Sequence, residues 1–76
     1  MIKELDVVAL AVDLPEYGLV AGDMGTVVYV TANGLGINVE FFTLDGETYD
    51  VIPMNMSDVR AVGHDEISHA RSIKSA

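Results

Sequence analysis

Seventy-six residues, half of them hydrophobic, with twelve acids against four bases and no cysteine, define one small globular domain of net charge −8. Disulfides, thiolate metal sites and cysteine nucleophiles are excluded, and no apolar run approaches the roughly 20 residues of a spanning helix. The opening "MIKELD" lacks the basic-then-apolar pattern of a secretory leader, so a cytoplasmic location away from membranes is expected.

Residues 5–13, "LDVVALAVD", read as a first strand buried on much of both faces, with Val7, Ala9 and Ala11 on one side and Val8, Leu10 and Val12 on the other. "LPEYG" then makes a turn: Pro15 fixes φ and Gly18 permits a positive one. Gly22-Asp23 leads into "MGTVVYVT", 24–31, whose β-branched and aromatic residues predict a second strand. Gly25, inside that strand, predicts a bulge or a close backbone approach. Asn33-Gly34 signals a hairpin, and 37–44 form a third strand with Ile37, Val39 and Phe41 on one face. Phe42 must then lie on the other face, since strand side chains alternate. Asp45-Gly46 signals a second hairpin into a fourth strand, 47–53, with Thr48, Asp50 and Ile52 opposed to Glu47, Tyr49 and Val51. "MNMSD" suits a single 3₁₀ turn, and "VRAV", 59–62, closes as a short fifth strand.

These elements predict an all-β fold, a small SH3-like barrel of about five antiparallel strands over residues 1–62, whose closure would remove exposed edges. Residues 63–76 differ in character and are expected as a short C-terminal helix or a flexible tail. Asp65 is placed to cap such a helix, with Ile67, Ala70 and Lys74 along one side. Charge divides along the same boundary. Residues 1–62 carry ten acids against Lys3 and Arg60, which accounts for the whole net charge, while Asp65 and Glu66 balance Arg71 and Lys74 in the tail. Such a surface repels nucleic-acid phosphate and anionic lipid and attracts basic partners; acids that simply keep a small apolar domain soluble are an equal reading.

A set of marks resembles a known family: Leu5-Asp6, Asp13-Leu14-Pro15-Glu16, Gly18-Leu19, Gly22-Asp23, Gly25-Thr26-Val27-Val28, Val39-Glu40-Phe41 and the Gly46 hairpin. Over residues 4–62 the chain is similar to a widespread bacterial and cyanobacterial family of small proteins, domain of unknown function 4926. The resemblance implies an SH3-like barrel and brings no activity with it. More distantly, the loop and strand are similar to the KOW motif of ribosomal proteins and elongation factors. Asp23 and Glu40 stand where that motif wants bases, and none lies between Lys3 and Arg60.

The Gly-Asp-x-Gly-Thr-Val-Val stretch, 22–28, is read as architecture. A phosphate cradle needs a helix N-terminus or a lysine after the glycines, and neither is present. Paired carboxylates for glycosidase chemistry would need a cleft that so small a domain rarely supplies. His64 and His69 are poorly spaced for a metal on a helix, and Ser57, Ser68, Ser72 and Ser75 have no visible base and orienting acid. No catalytic residue, metal or cofactor is therefore expected. The candidate partner-binding residues are Glu16, Tyr17, Asp45, Glu47, Tyr49 and Asp50: aromatic anchors among acids, near the groove that SH3-like barrels use between the first long loop and the neighbouring hairpin. The expected function is a non-catalytic acidic module that binds a basic protein, of antitoxin, immunity or other regulatory type. The alternative is a KOW-like nucleic-acid or ribosome-associated module, which the charge disfavours. An outward aromatic surface covered by the chain's own tail is equally compatible with the sequence.

Overall fold

The computed structural model describes residues 1–73. Five strands run along them, β1 (Val7–Leu10), β2 (Met24–Val30), β3 (Gly36–Phe42), β4 (Thr48–Asn55) and β5 (Val59–Ala61), with single 3₁₀ turns at Pro15–Tyr17 and Met56–Asp58. All pairings are antiparallel, in the order β4-β3-β2-β1-β5. β4 and β5 thus lie at opposite edges, although only the Met56–Asp58 turn joins them. In a flat sheet those edges would be about 19 Å apart, four strand spacings. The link from Asn55 to Val59 spans about 14 Å at full stretch, and its 3₁₀ turn shortens it further. The sheet must therefore curl on itself. The chain is all-β, five antiparallel strands in an open curled sheet, consistent with a small SH3-like fold.

The concave side carries the core: Val8, Leu10, Leu19, Val27, Ile37, Val39, Phe41, Ile52 and Val59 form one buried cluster. Ile37, Val39 and Phe41 face it together while Phe42 is half exposed, as alternation requires. Leu19 reaches this core from the long first loop. Burying one such side chain contributes about 1.5–3 kcal/mol, enough to hold the loop against the sheet.

Strand lengths and facing depart from expectation at identifiable places. β1 starts at Val7, because Lys3–Asp6 form a turn: the Asp6 carboxylate accepts the Lys3 N–H at 3.0 Å, and Leu5 has a left-handed φ of 74°. β1 ends at Leu10, whose N–H donates to the Asp23 carbonyl and whose carbonyl accepts from Gly22, both at 2.8 Å, closing the base of the first loop. Bulges reset the alternation in two strands. The β2–β3 register shifts between Val27 and Tyr29, and the β3–β4 register shifts between Phe41 and Phe42. The second shift reverses the expected facing of part of β4: Tyr49 is half-buried against the core and Asp50 is exposed.

Gly25 meets the predicted close approach, not a bulge. A Cβ there would lie 2.6 Å from Val39 Cγ1 and 2.8 Å from the Glu40 carbonyl oxygen. Its φ is not in the left-handed region; packing alone requires glycine. Of the two forms expected for the C-terminal stretch, the helix does not form over residues 63–73. Instead the Glu66 carboxylate accepts the Gly63 N–H at 2.7 Å and an Arg60 N–H at 2.9 Å, fixing a turn where the first helical residues would stand. A helix of this length is marginal in water, so that competition decides it. Lys74 lies outside the described residues.

Candidate functional site

The first loop is built as a staple. Leu14 and Leu19 exchange backbone hydrogen bonds at 2.9 and 3.1 Å around the Pro15–Tyr17 turn, which Gly18 closes in the left-handed region at φ 72°. Two aspartates fix its return. Asp13 Oδ1 accepts the Ala21 N–H at 2.8 Å and Asp23 Oδ2 accepts the Val20 N–H at 2.9 Å. The backbone N–H groups of this corner are thus already bonded, those of Val20 and Ala21 to carboxylates and those of Gly22 and Asp23 to the Leu10 and Val20 carbonyls.

Two distant segments meet at consecutive carbonyls of this loop. The Tyr49 hydroxyl of β4 donates to the Tyr17 carbonyl at 2.7 Å. The next carbonyl, Gly18, accepts from Arg71 Nη2 of the tail at 3.1 Å. The same guanidinium grips Asp23 with two edges, Nε to Oδ1 at 2.9 Å and Nη2 to Oδ2. Asp23 is only 17% exposed at its side chain. The Arg71 hydrogen bond, opposed by partial burial and helped by the Val20 N–H, holds its carboxyl below the ordinary 3.8. Ile73, two residues on, packs against the core cluster. Residues 63–72, Arg71 among them, are otherwise exposed.

Of the residues picked from sequence, Glu16, Asp45, Glu47 and Asp50 are exposed, on the first loop and on and beside the β3–β4 hairpin. Tyr17 and Tyr49 are half-buried, packed against the core and bonded to each other through hydroxyl and carbonyl. They join the loop to β4, and their rings support the face more than they project from it. More exposed rings belong to Phe42 and Tyr29, 49% and 50% exposed. Asp45 accepts the Thr43 hydroxyl, the main cause of its lowered pKa, and Asp50 Oδ1 accepts the adjacent Val51 N–H at 2.8 Å. Glu40, on the same hairpin, accepts the Thr48 hydroxyl at 2.7 Å. Sequence reasoning missed the meeting of Gly18, Asp23 and Arg71. Asp23 was legible only as part of the architectural 22–28 stretch; its tail partner carries no periodic or motif signal.

Among the described residues, Lys3, Arg60 and Arg71 each rest against a carboxylate: Asp6 at 3.3 Å, Glu66 at 2.9 Å and Asp23. Also among the described residues, no three His, Cys, Asp or Glu side chains converge as metal ligands, and no helix is long and apolar enough to cross a membrane. A depression of about 430 Å³ lies between the β2–β3 turn and Asn55, and another of about 320 Å³ between Ile2 and Val62. Neither includes Gly18, Asp23, Arg71 or the candidate partner-binding residues.

The outer edge of β4 is also closed to strand addition. Met56 donates to Leu35 on the β3 side, so the N–H groups of residues 51, 53 and 55 point away from the sheet. Val51 N–H is taken by Asp50, residue 53 is proline, and Asn55 N–H is taken by Asp58 Oδ2 at 3.2 Å. Edges are blunted in this way against pairing with other chains.

Fold and site together define a small all-β module with a stapled acidic first loop that its own tail crosses. The chain belongs to the family described as domain of unknown function DUF4926, whose profile matches residues 4–61. Comparison with curated proteins and with solved structures finds no match. Gly18, Asp23 and Tyr49 fall within the matched span and Arg71 outside it.

Proposed function

We propose that this is a non-catalytic, acidic protein-binding module that engages a basic protein through the first loop and the β3–β4 hairpin. The observation that carries the reading is the distribution of charge partners. Glu16, Asp45, Glu47 and Asp50 stand exposed and, among the described residues, in no ion pair, while the described bases are spent on Asp6, Glu66 and Asp23. Unneutralised carboxylates on a loop and a hairpin that the Tyr49–Tyr17 hydrogen bond joins raise the local negative potential and steer a positive partner onto them. The same pairing disfavours nucleic acid, because phosphate binding needs bases available to displace counterions. A module that masks a basic surface suits an antitoxin, immunity or other regulatory role in the bacterial cytoplasm.

The test is capture from a native lysate by crosslinking, followed by affinity measurement with the purified partner. The reading expects a basic partner whose affinity falls at least about tenfold, roughly 1.4 kcal/mol, when Glu16→Lys and Glu47→Lys are combined. An acidic partner, or an unchanged affinity, refutes it.

A further inference from the structure

We propose that the Asp23 carboxylate and the Gly18 carbonyl form a recognition notch for an arginine side chain on an extended segment of the basic partner, and that the chain's own tail fills this notch in the free protein. The inference rests on the binding role proposed above and names its chemistry.

The notch is already formed before any partner arrives. Val20 N–H donates to Asp23 Oδ2 and helps hold the carboxylate; the guanidinium takes that oxygen through Nη2 and Oδ1 through Nε. Gly18, in its left-handed conformation, caps the 3₁₀ turn, and its carbonyl adds a third acceptor. Tyr49 anchors the neighbouring carbonyl to β4, so the acceptors sit on a braced loop. Two carboxylate oxygens and a carbonyl suit the planar fork of arginine; the point charge of lysine would satisfy them less well.

The resident occupant is held as a ligand would be. From Ile67 to Ser72 the tail is exposed and belongs to no helix or strand, and it is tied down by Arg71 and by Ile73 on the core. The docked element is therefore short: an arginine and, two residues later, an aliphatic side chain. A tethered segment competes at an effective concentration on the order of millimolar. A partner segment of the pattern Arg-x-aliphatic must outcompete it, and the apparent affinity of the notch is reduced by the fraction of time the tail is away.

The experiment uses the full chain and a synthetic peptide of its own residues 63–76 as probe, titrated by calorimetry. The Arg71→Ala chain should bind the peptide at least about tenfold more tightly than the parent, whose notch is filled. The same peptide carrying Arg71→Ala should not bind, and one carrying Arg71→Lys, which keeps the charge and loses the fork, should bind about tenfold more weakly. Adding Asp23→Asn to the Arg71→Ala chain should abolish binding; the lysine peptide keeps the test decisive if that substitution also loosens the Val20 contact. Equal affinity of parent and Arg71→Ala chains, or equal affinity of the arginine, lysine and alanine peptides, overturns the proposal. The assay reads the notch alone: its failure leaves the acidic-face reading standing, and failure of the Glu16 and Glu47 variants to change partner affinity leaves the peptide result standing.

Discussion

Arg71 and Asp23 are 48 positions apart in sequence and meet through Nε and Oδ1 at 2.9 Å, joining a tail without regular structure to the corner that opens β2. This pair, together with Ile73 packed on the core, ties the last described residues to the domain. Because Arg71 lowers the Asp23 pKa, tail docking and Asp23 protonation are linked.

The sign follows from the direction of that shift. A carboxyl whose folded pKa lies below its unfolded value contributes fully above the unfolded value and loses its contribution as pH falls towards the folded one. Tail docking should thus hold above the ordinary 3.8 and be lost progressively below it. The amide shifts of Ser72 and Ile73 report it locally, apart from the opposing relief of repulsion as unpaired acids are protonated. Unchanged shifts well below that pH would show that the ion pair does not hold the tail.

Gly25 offers a test of packing. A methyl there would press on the Glu40 carbonyl and Val39 at less than contact distance. Backbone cannot swing aside as a flexible side chain can, so Gly25→Ala should destabilise by about 1–3 kcal/mol, the usual cost of overpacking. Denaturant midpoints compare the two chains; equal midpoints would mean that β2 and β3 separate easily at this point.

Much of the fold was legible because its signals are local. Runs of β-branched residues marked the strands, Gly34 and Gly46 take the positive φ their turns need, and Gly25 announced a close approach. What was illegible depends on contacts between segments. The bulge that turns Tyr49 inward arises in β3–β4 pairing, and a single added residue reverses facing beyond it. Asp65 looked like a helix cap, but Glu66 is captured by Gly63 and Arg60. The acidic excess of the candidate face was plain in composition. That the tail's arginine occupies the notch beside it was not, since nothing near Arg71 in sequence points to Asp23.

The edge of β4 should be protective. Asp50→Ala with Pro53→Val returns two outward N–H groups to a strand that presents none unbonded between Val51 and Asn55. The double variant should self-associate through that edge and sediment faster than the parent. Identical sedimentation would show that the edge is guarded by something other than these residues.

The central claim is that exposed acids on the first loop and β3–β4 hairpin recruit a basic protein. The most direct measurement is the association rate constant of the captured partner, taken across ionic strength for the parent and the Glu16→Lys, Glu47→Lys chain. Steering by this face predicts a rate for the parent that falls steeply as salt screens the charges, about tenfold or more, and a variant rate that starts lower and changes little. Rates that are equal for the two chains, or indifferent to salt in the parent, would contradict it.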